Sequence, residues 1–183
     1  MLEFTIAKRY TQITRENYKY NLGIQFIKQL HSSIKEEKMK NISTASAHWE
    51  DTLENGFGTI SAESSQIFTE TPYNFKARSE SQAHITTPEE LLGAAHAACF
   101  SMAFSMVLGQ KGLVATSIDT TADVTFEATA DGPAITKIKL TNRSVVPELS
   151  EADFQEIAKV VKESCPVSKA LSGVDIELEA TLG

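Results

Sequence analysis

Between Leu91 and Leu108 the chain runs for eighteen residues, LLGAAHAACFSMAFSMVL, without a charge. A helix start signal precedes the run. Thr87 can cap, Pro88 suits the first helical position, and Glu90 completes a Thr-x-x-Glu capping box. A helix with no polar face has to be covered, so the rest of the chain is expected to wrap this one. Eighteen uncharged residues also reach the lower limit for a membrane span. Gly93, His96, Ser101, Ser105 and five alanines dilute the run. That favours the central helix of a soluble protein or dimer, with no membrane partner.

At 183 residues the chain fits one domain with a self-sufficient core. Its net charge of −7 hides an asymmetry. Residues 1–38 hold seven Lys/Arg against four Glu; the remainder holds ten Lys/Arg against twenty Asp/Glu. An acidic body without a basic stripe excludes nucleic acid as the expected partner. No apolar segment follows the N-terminal charges as a secretory signal requires, so a cytoplasmic location is expected. Two cysteines in such a chain are core thiols or redox residues rather than a disulfide scaffold.

Residues 1–38 differ in character from residues 39–183. Leu22, Phe26, Ile27, Leu30 and Ile34 share one face of a helix expected from about Glu16 to Lys38. They read as an N-terminal extension, either a partner-binding helix or an appendage upstream of a second start at Met39. Residues 39–183 then form the main domain. Strands are expected at Ala45–Leu53, Phe57–Ala62, Gln66–Thr69 and Pro72–Arg78, the last with Arg78 on its polar side. After the long helix, Ser117–Thr129 and Ala134–Val146 read as a hairpin. Ser150 caps a second helix whose apolar face is Phe154, Ile157, Ala158, Val160 and Val161. Cys165-Pro166 breaks it, Val167–Leu171 can form one further turn, and Val174–Leu182 alternates as a final strand. The order is α+β with mostly antiparallel sheet.

Four residues stand out chemically. Cys99 lies mid-helix, roughly 18 Å from Thr87 at 1.5 Å per residue, too far for the helix dipole to act. Lowering its pKa by two units needs about 2.7 kcal/mol, so a nucleophilic Cys99 requires a cation from elsewhere. Arg78 is the candidate by position, and Glu89 can hold it as a carboxylate partner; both also have plain surface roles, as a solvated arginine and a first-turn carboxylate. Cys165, before Pro166, stands where a new helix begins, which favours a thiolate. Each cysteine alone is equally readable as a buried structural thiol. His96, one turn before Cys99, reads as a satisfied helix histidine. The cysteines lack metal-ligand spacing, so zinc is not expected, and no phosphate loop or nucleophile elbow occurs. Glu89 and Cys99 are about 15 Å apart on a straight helix. For one arginine to serve both, the helix bends near Gly93 or the parts come from two subunits.

PEELLGAAHAACFSMAFSMVLG, together with AHWE, YNFKAR, SIDTTADV, AITKIKL and SCPVSKAL, resembles the OsmC branch of the OsmC/Ohr family over residues 45–182. The resemblance implies antiparallel sheets wrapped around two central helices in an intertwined homodimer, with active sites at the subunit interface. It implies a peroxidase that reduces organic hydroperoxides without metal or bound cofactor. Cys99 would be the peroxidatic nucleophile and Cys165 the resolving thiol, joined as a disulfide in the cycle. Arg78 would stabilise the thiolate and Glu89 would orient Arg78. A dithiol, small or lipoyl-type, would recycle the enzyme. Two other classes stay open: a redox-sensing interaction protein, and a carrier of apolar small molecules.

Overall fold

The first helix, α1 (Pro88–Gln110), carries the uncharged run as one unbroken element. Thr87 Oγ1 accepts the Glu90 N–H at 3.1 Å, and Pro88 occupies the first turn, as expected. The second half of the capping box is rearranged: the Glu90 carboxylate accepts the Thr86 hydroxyl at 2.8 Å. In the computed structural model residues 40–183 are described. The expected extension at 1–38, its helix and the start at Met39 lie outside them. Ala45–Gly183 fold as a unit of their own.

Two three-stranded sheets accompany α1. The first holds β1 (Ser46–Glu50), β2 (Phe57–Ser61) and β3 (Thr71–Tyr73) in antiparallel order 1-2-3. The strand expected at Gln66–Thr69 does not form. The Gln66 N–H instead closes a turn onto the Ala62 carbonyl at 2.8 Å, and Gln66 takes a φ of 55°. The strand expected to run through Arg78 stops at Tyr73, and Lys76–Arg78 wind into a 3-10 turn. Asn74 causes this. Its Oδ1 accepts the Ala77 N–H at 2.7 Å, offering the backbone a local partner in place of a ladder.

The second sheet holds β4 (Ser117–Thr129), β5 (Gly132–Val145) and β6 (Asp175–Leu182). β4 and β5 form the expected hairpin, turned through Ala130-Asp131, with Gly132 at φ 111°. β6 departs from the antiparallel pattern. It pairs parallel to β5, with Ile138 opposite Ile176 and Leu140 opposite Leu178. A parallel return needs a long crossover, which α2 (Glu151–Ser164) and α3 (Pro166–Ala170) supply.

The core lies between α1, α2 and the inner face of this sheet. Phe100, Phe104 and Phe154 are fully buried, with ring centroids 6.0 Å and 5.4 Å apart in that order. Burial of each contributes roughly 1.5–3 kcal/mol. Phe154, Ile157, Ala158 and Val161 face inward as expected, whereas Val160 is half exposed. A polar chain ties α1 to the sheet. Ser101 Oγ donates to Thr120 Oγ1 at 2.8 Å, Asn142 Nδ2 reaches the same oxygen at 2.9 Å, and Ser144 Oγ donates to Asn142 Oδ1 at 2.8 Å.

The described residues do not wrap α1 on all sides. Gly93, His96, Phe100, Ala103, Phe104, Val107 and Leu108 are buried. The opposite stripe, Ala95, Ala98, Met102, Ser105 and Met106, is exposed, with Met102 at 68%. Gly93 lets α1 approach β4. A Cβ there would stand 3.0 Å from the Ala122 carbonyl oxygen and 3.4 Å from Val124 Cγ2. Gly93→Val should therefore force helix from strand and cost about 1–3 kcal/mol, read as a lower urea midpoint with unchanged slope.

Candidate active site

Pro166 brings the two sulfurs together. The α2 helix ends at Cys165, whose N–H still donates to the Val161 carbonyl at 2.9 Å. Pro166 then starts α3 at its first position, because its fixed φ suits a helix start. The reversal turns the Cys165 side chain inward, where it is fully buried, against the side of α1 that carries Cys99. The two thiols are free, and each figures among the influences on the other's acidity. The sequence singled both out; their meeting across the fold is a tertiary fact.

Their acidities diverge. Burial pushes the Cys99 thiol up; the Val167 amide pulls it down, and sharing a hydrogen bond with Cys165 raises it again. For Cys165 burial is the largest single influence and acts upward. The Ser168 amide and hydroxyl, the Cys99 thiol and the Val167 amide together outweigh it, so Cys165 lies below the usual thiol range. Within one chain Cys165 is thus the better thiolate of the pair. No cationic side chain of the described residues figures among the influences on either sulfur.

Arg78 and Glu89 form a second cluster at the start of α1. Arg78 Nε donates to both Glu89 oxygens, at 3.1 and 3.3 Å, and Nη2 donates to Oε1. Glu89 is buried and Arg78 partly so. The guanidinium also lies 3.8 Å from the Phe126 ring centroid. Phe126 follows a register shift between Thr125 and Phe126, a bulge that re-aims it toward the arginine. A cleft of about 950 Å³ opens beside the pair, lined in part by Arg78, Glu89, Leu91, Ala94, Ala122 and Val124. Neither sulfur lines it. The expected Arg78–Glu89 pairing is present, but within one chain α1 does not bend to bring it to Cys99. Glu89 and Cys99 remain ten residues apart on an unbroken helix, roughly 15 Å.

Sequence reasoning missed three supporting residues. Asn74 sets the turn that carries Arg78, and its Nδ2 donates to Gln82 Oε1 at 2.9 Å. An Asn three residues before the turn's centre is a local cap signal that was legible. Phe126 had no such signal. Ser168 meets His96, with 2.8 Å between its Oγ and His96 Nε2. The histidine expected to be satisfied is satisfied on that nitrogen alone: Nδ1 is buried without a partner among the described residues. Burial lowers the His96 pKa, keeping the ring neutral. Among the described residues no group of three or more His, Cys, Asp or Glu is arranged to hold a metal ion.

Comparison with known proteins supplies context. A family profile described as OsmC-like protein matches residues 80–179. Peroxiredoxin OsmC of Escherichia coli K12 is 49% identical over 125 residues, spanning 68% of this chain and 86% of that protein. An organic hydroperoxide resistance protein-like 2 of Staphylococcus epidermidis is 29% identical over 100 residues, 52% of this chain and 68% of that one. In structure, the organic hydroperoxide resistance protein OhrB of Bacillus subtilis matches with a TM-score of 0.57 at 25% identity, covering 75% of this chain and 98% of that one. An OsmC-like protein of unknown function from Vibrio cholerae matches with a TM-score of 0.62 at 13% identity, covering 78% and 100%, which speaks to the fold alone. A profile match across more than half the chain, a relative nearly half identical over most of its length, and the shared α+β fold agree: the chain belongs to the OsmC family.

Proposed function

We infer that the protein is a thiol-dependent peroxidase that reduces organic hydroperoxides to alcohols. One observation carries the reading: its two free thiols, 66 positions apart in sequence, each act on the other's acidity. Relatives named as a peroxiredoxin and as organic hydroperoxide resistance proteins support it. In the proposed cycle Cys99, partly exposed where Cys165 is buried, is the sulfur that substrate reaches first. Its thiolate attacks the distal peroxide oxygen, the O–O bond breaks, and the alkoxide takes a proton to leave as alcohol. Cys99 is then a sulfenic acid. Cys165 attacks that sulfur, a disulfide forms, and water departs. An external dithiol restores both thiols by exchange. A reducing compartment such as the cytoplasm would supply it.

Cys99 needs a cation that the described residues of its own chain do not bring near. The exposed apolar stripe of α1 needs a cover. A second copy of the chain answers both. Packing Met102 and Met106 against a symmetric partner buries the stripe, and the partner's Arg78–Glu89 pair can then face Cys99. The buried carboxylate holds the guanidinium in a fixed orientation, so its donors meet the charge developing on sulfur and peroxide oxygen without reorganising. The apolar residues of α1 favour alkyl over hydrogen peroxide.

Cys99→Ser should abolish dithiol-driven consumption of cumene hydroperoxide, and Cys165→Ser should leave a single turnover; normal cycling in both variants would remove the peroxidase reading. Intact-mass spectrometry after one equivalent of peroxide should show the loss of two hydrogens, mapped to one Cys99–Cys165 bridge. The subunit arrangement has its own assay. Arg78→Met and Cys99→Ser proteins, each inactive alone, should regain about a quarter of normal activity once refolded together, because one site per mixed dimer is then intact. No recovery would mean that Arg78 serves the sulfur of its own chain. Met102→Glu with Met106→Glu should give a monomer by analytical ultracentrifugation.

A further inference from the structure

His96 is fully buried, neutral and unused in the proposed cycle. Its Nε2 lies 2.8 Å from the Ser168 hydroxyl, and its Nδ1 has no partner among the described residues. That asymmetry assigns the tautomer. A buried N–H without an acceptor is costlier than a buried lone pair without a donor. Nδ1 therefore carries the lone pair and Nε2 the proton, so the ring donates to Ser168 Oγ. The serine is left with its own hydrogen to direct elsewhere. Ser168 stands three residues after Cys165, on the first turn of α3, and its hydroxyl and amide both act to lower the pKa of the buried Cys165 thiol.

We propose that His96 and Ser168 form a hydrogen-bond donor chain that ends on the Cys165 sulfur and holds it ready to act as attacking and leaving thiolate. Ser168 touches the reacting sulfur; His96 is a positioning residue that acts through Ser168. The use of this chain in turnover rests on the peroxidase reading; its effect on Cys165 does not. In the forming step the Cys165 thiolate attacks the Cys99 sulfenic sulfur. The S–S bond forms, the S–O bond breaks, and the departing hydroxide combines with the proton released when Cys165 ionised, giving water. In the opening step a thiolate of the external dithiol attacks the Cys99 sulfur. The S–S bond breaks and Cys165 leaves as a thiolate already faced by a donor, and better-stabilised thiolates leave faster. The other groups that act on this sulfur are Cys99 on α1 and the amides of Val167 and Ser168 on α3. No charge is needed, which suits a fully buried position.

The test uses the full chain carrying Cys99→Ser, so that Cys165 titrates alone, followed by thiolate absorbance and alkylation rate. Adding Ser168→Ala should raise the Cys165 midpoint by about one pH unit. Ser168→Thr should restore it. His96→Leu should raise it in the same direction, and His96→Gln, which keeps a donor, should raise it less. In the chain with both cysteines, Ser168→Ala should slow disulfide formation about three- to tenfold. Nitrogen NMR of the unsubstituted protein should show His96 as the neutral Nε2–H tautomer. A Cys165 midpoint unmoved by both Ser168→Ala and His96→Leu would overturn the proposal, as would an Nδ1–H ring. A shifted midpoint in a protein that consumes no hydroperoxide would support the donor chain and retire the peroxidase reading.

Discussion

Helix α1 has no charged residue from Leu91 to Leu108, and the described residues cover only one side of it. On the side toward β4, β5 and α2, its Phe100 and Phe104 meet Phe154 in tilted ring contacts and Gly93 allows a close approach. The other side presents Met102, Met106 and alanines. Cys99 sits between the two, neither sealed in the core nor free in solvent. That boundary position lets one sulfur face a buried partner while remaining open to a small molecule from outside.

Among the described residues no cationic side chain acts on the sulfurs. The Arg78–Glu89 pair occupies the N-terminal end of α1, held by a bidentate bond and by the face of Phe126. Around the sulfurs only neutral donors act: two backbone amides, a serine and the thiols themselves. Two thiols sharing a hydrogen bond cannot both be the acceptor, so one rises as the other falls. Neutral donors favour Cys165, and a guanidinium delivered from a second subunit would favour Cys99. The proposed cycle needs each thiolate at a different stage, which two separate sets of donors allow.

Much of this was readable from local rules. The Thr87 cap, the break at Cys165-Pro166, the β4–β5 hairpin and the inner face of α2 each follow from residues close together in sequence. Pro72–Arg78 shows where such rules fail. Tyr73, Phe75 and Ala77 alternate as a strand would, but Asn74 closes a turn on Ala77 and the strand ends. A period-two pattern over seven residues is weak evidence beside one well-aimed side-chain hydrogen bond. Pairing β6 parallel to β5 was hidden for another reason: alternation gives the face of a strand, never its direction.

The sequence alone determined which groups are present: two thiols, one candidate cation with a carboxylate to hold it, a helix without a polar face, and the family to which their spacing belongs. Only the tertiary structure decided who meets whom. It joined Cys99 to Cys165, Arg78 to Glu89 and Phe126, and His96 to Ser168, and it kept the first pair apart from the second. Helix periodicity and proline geometry act within a few residues and are written along the chain. Contacts between residues 66 or 72 positions apart depend on how whole elements pack, and no local pattern encodes that.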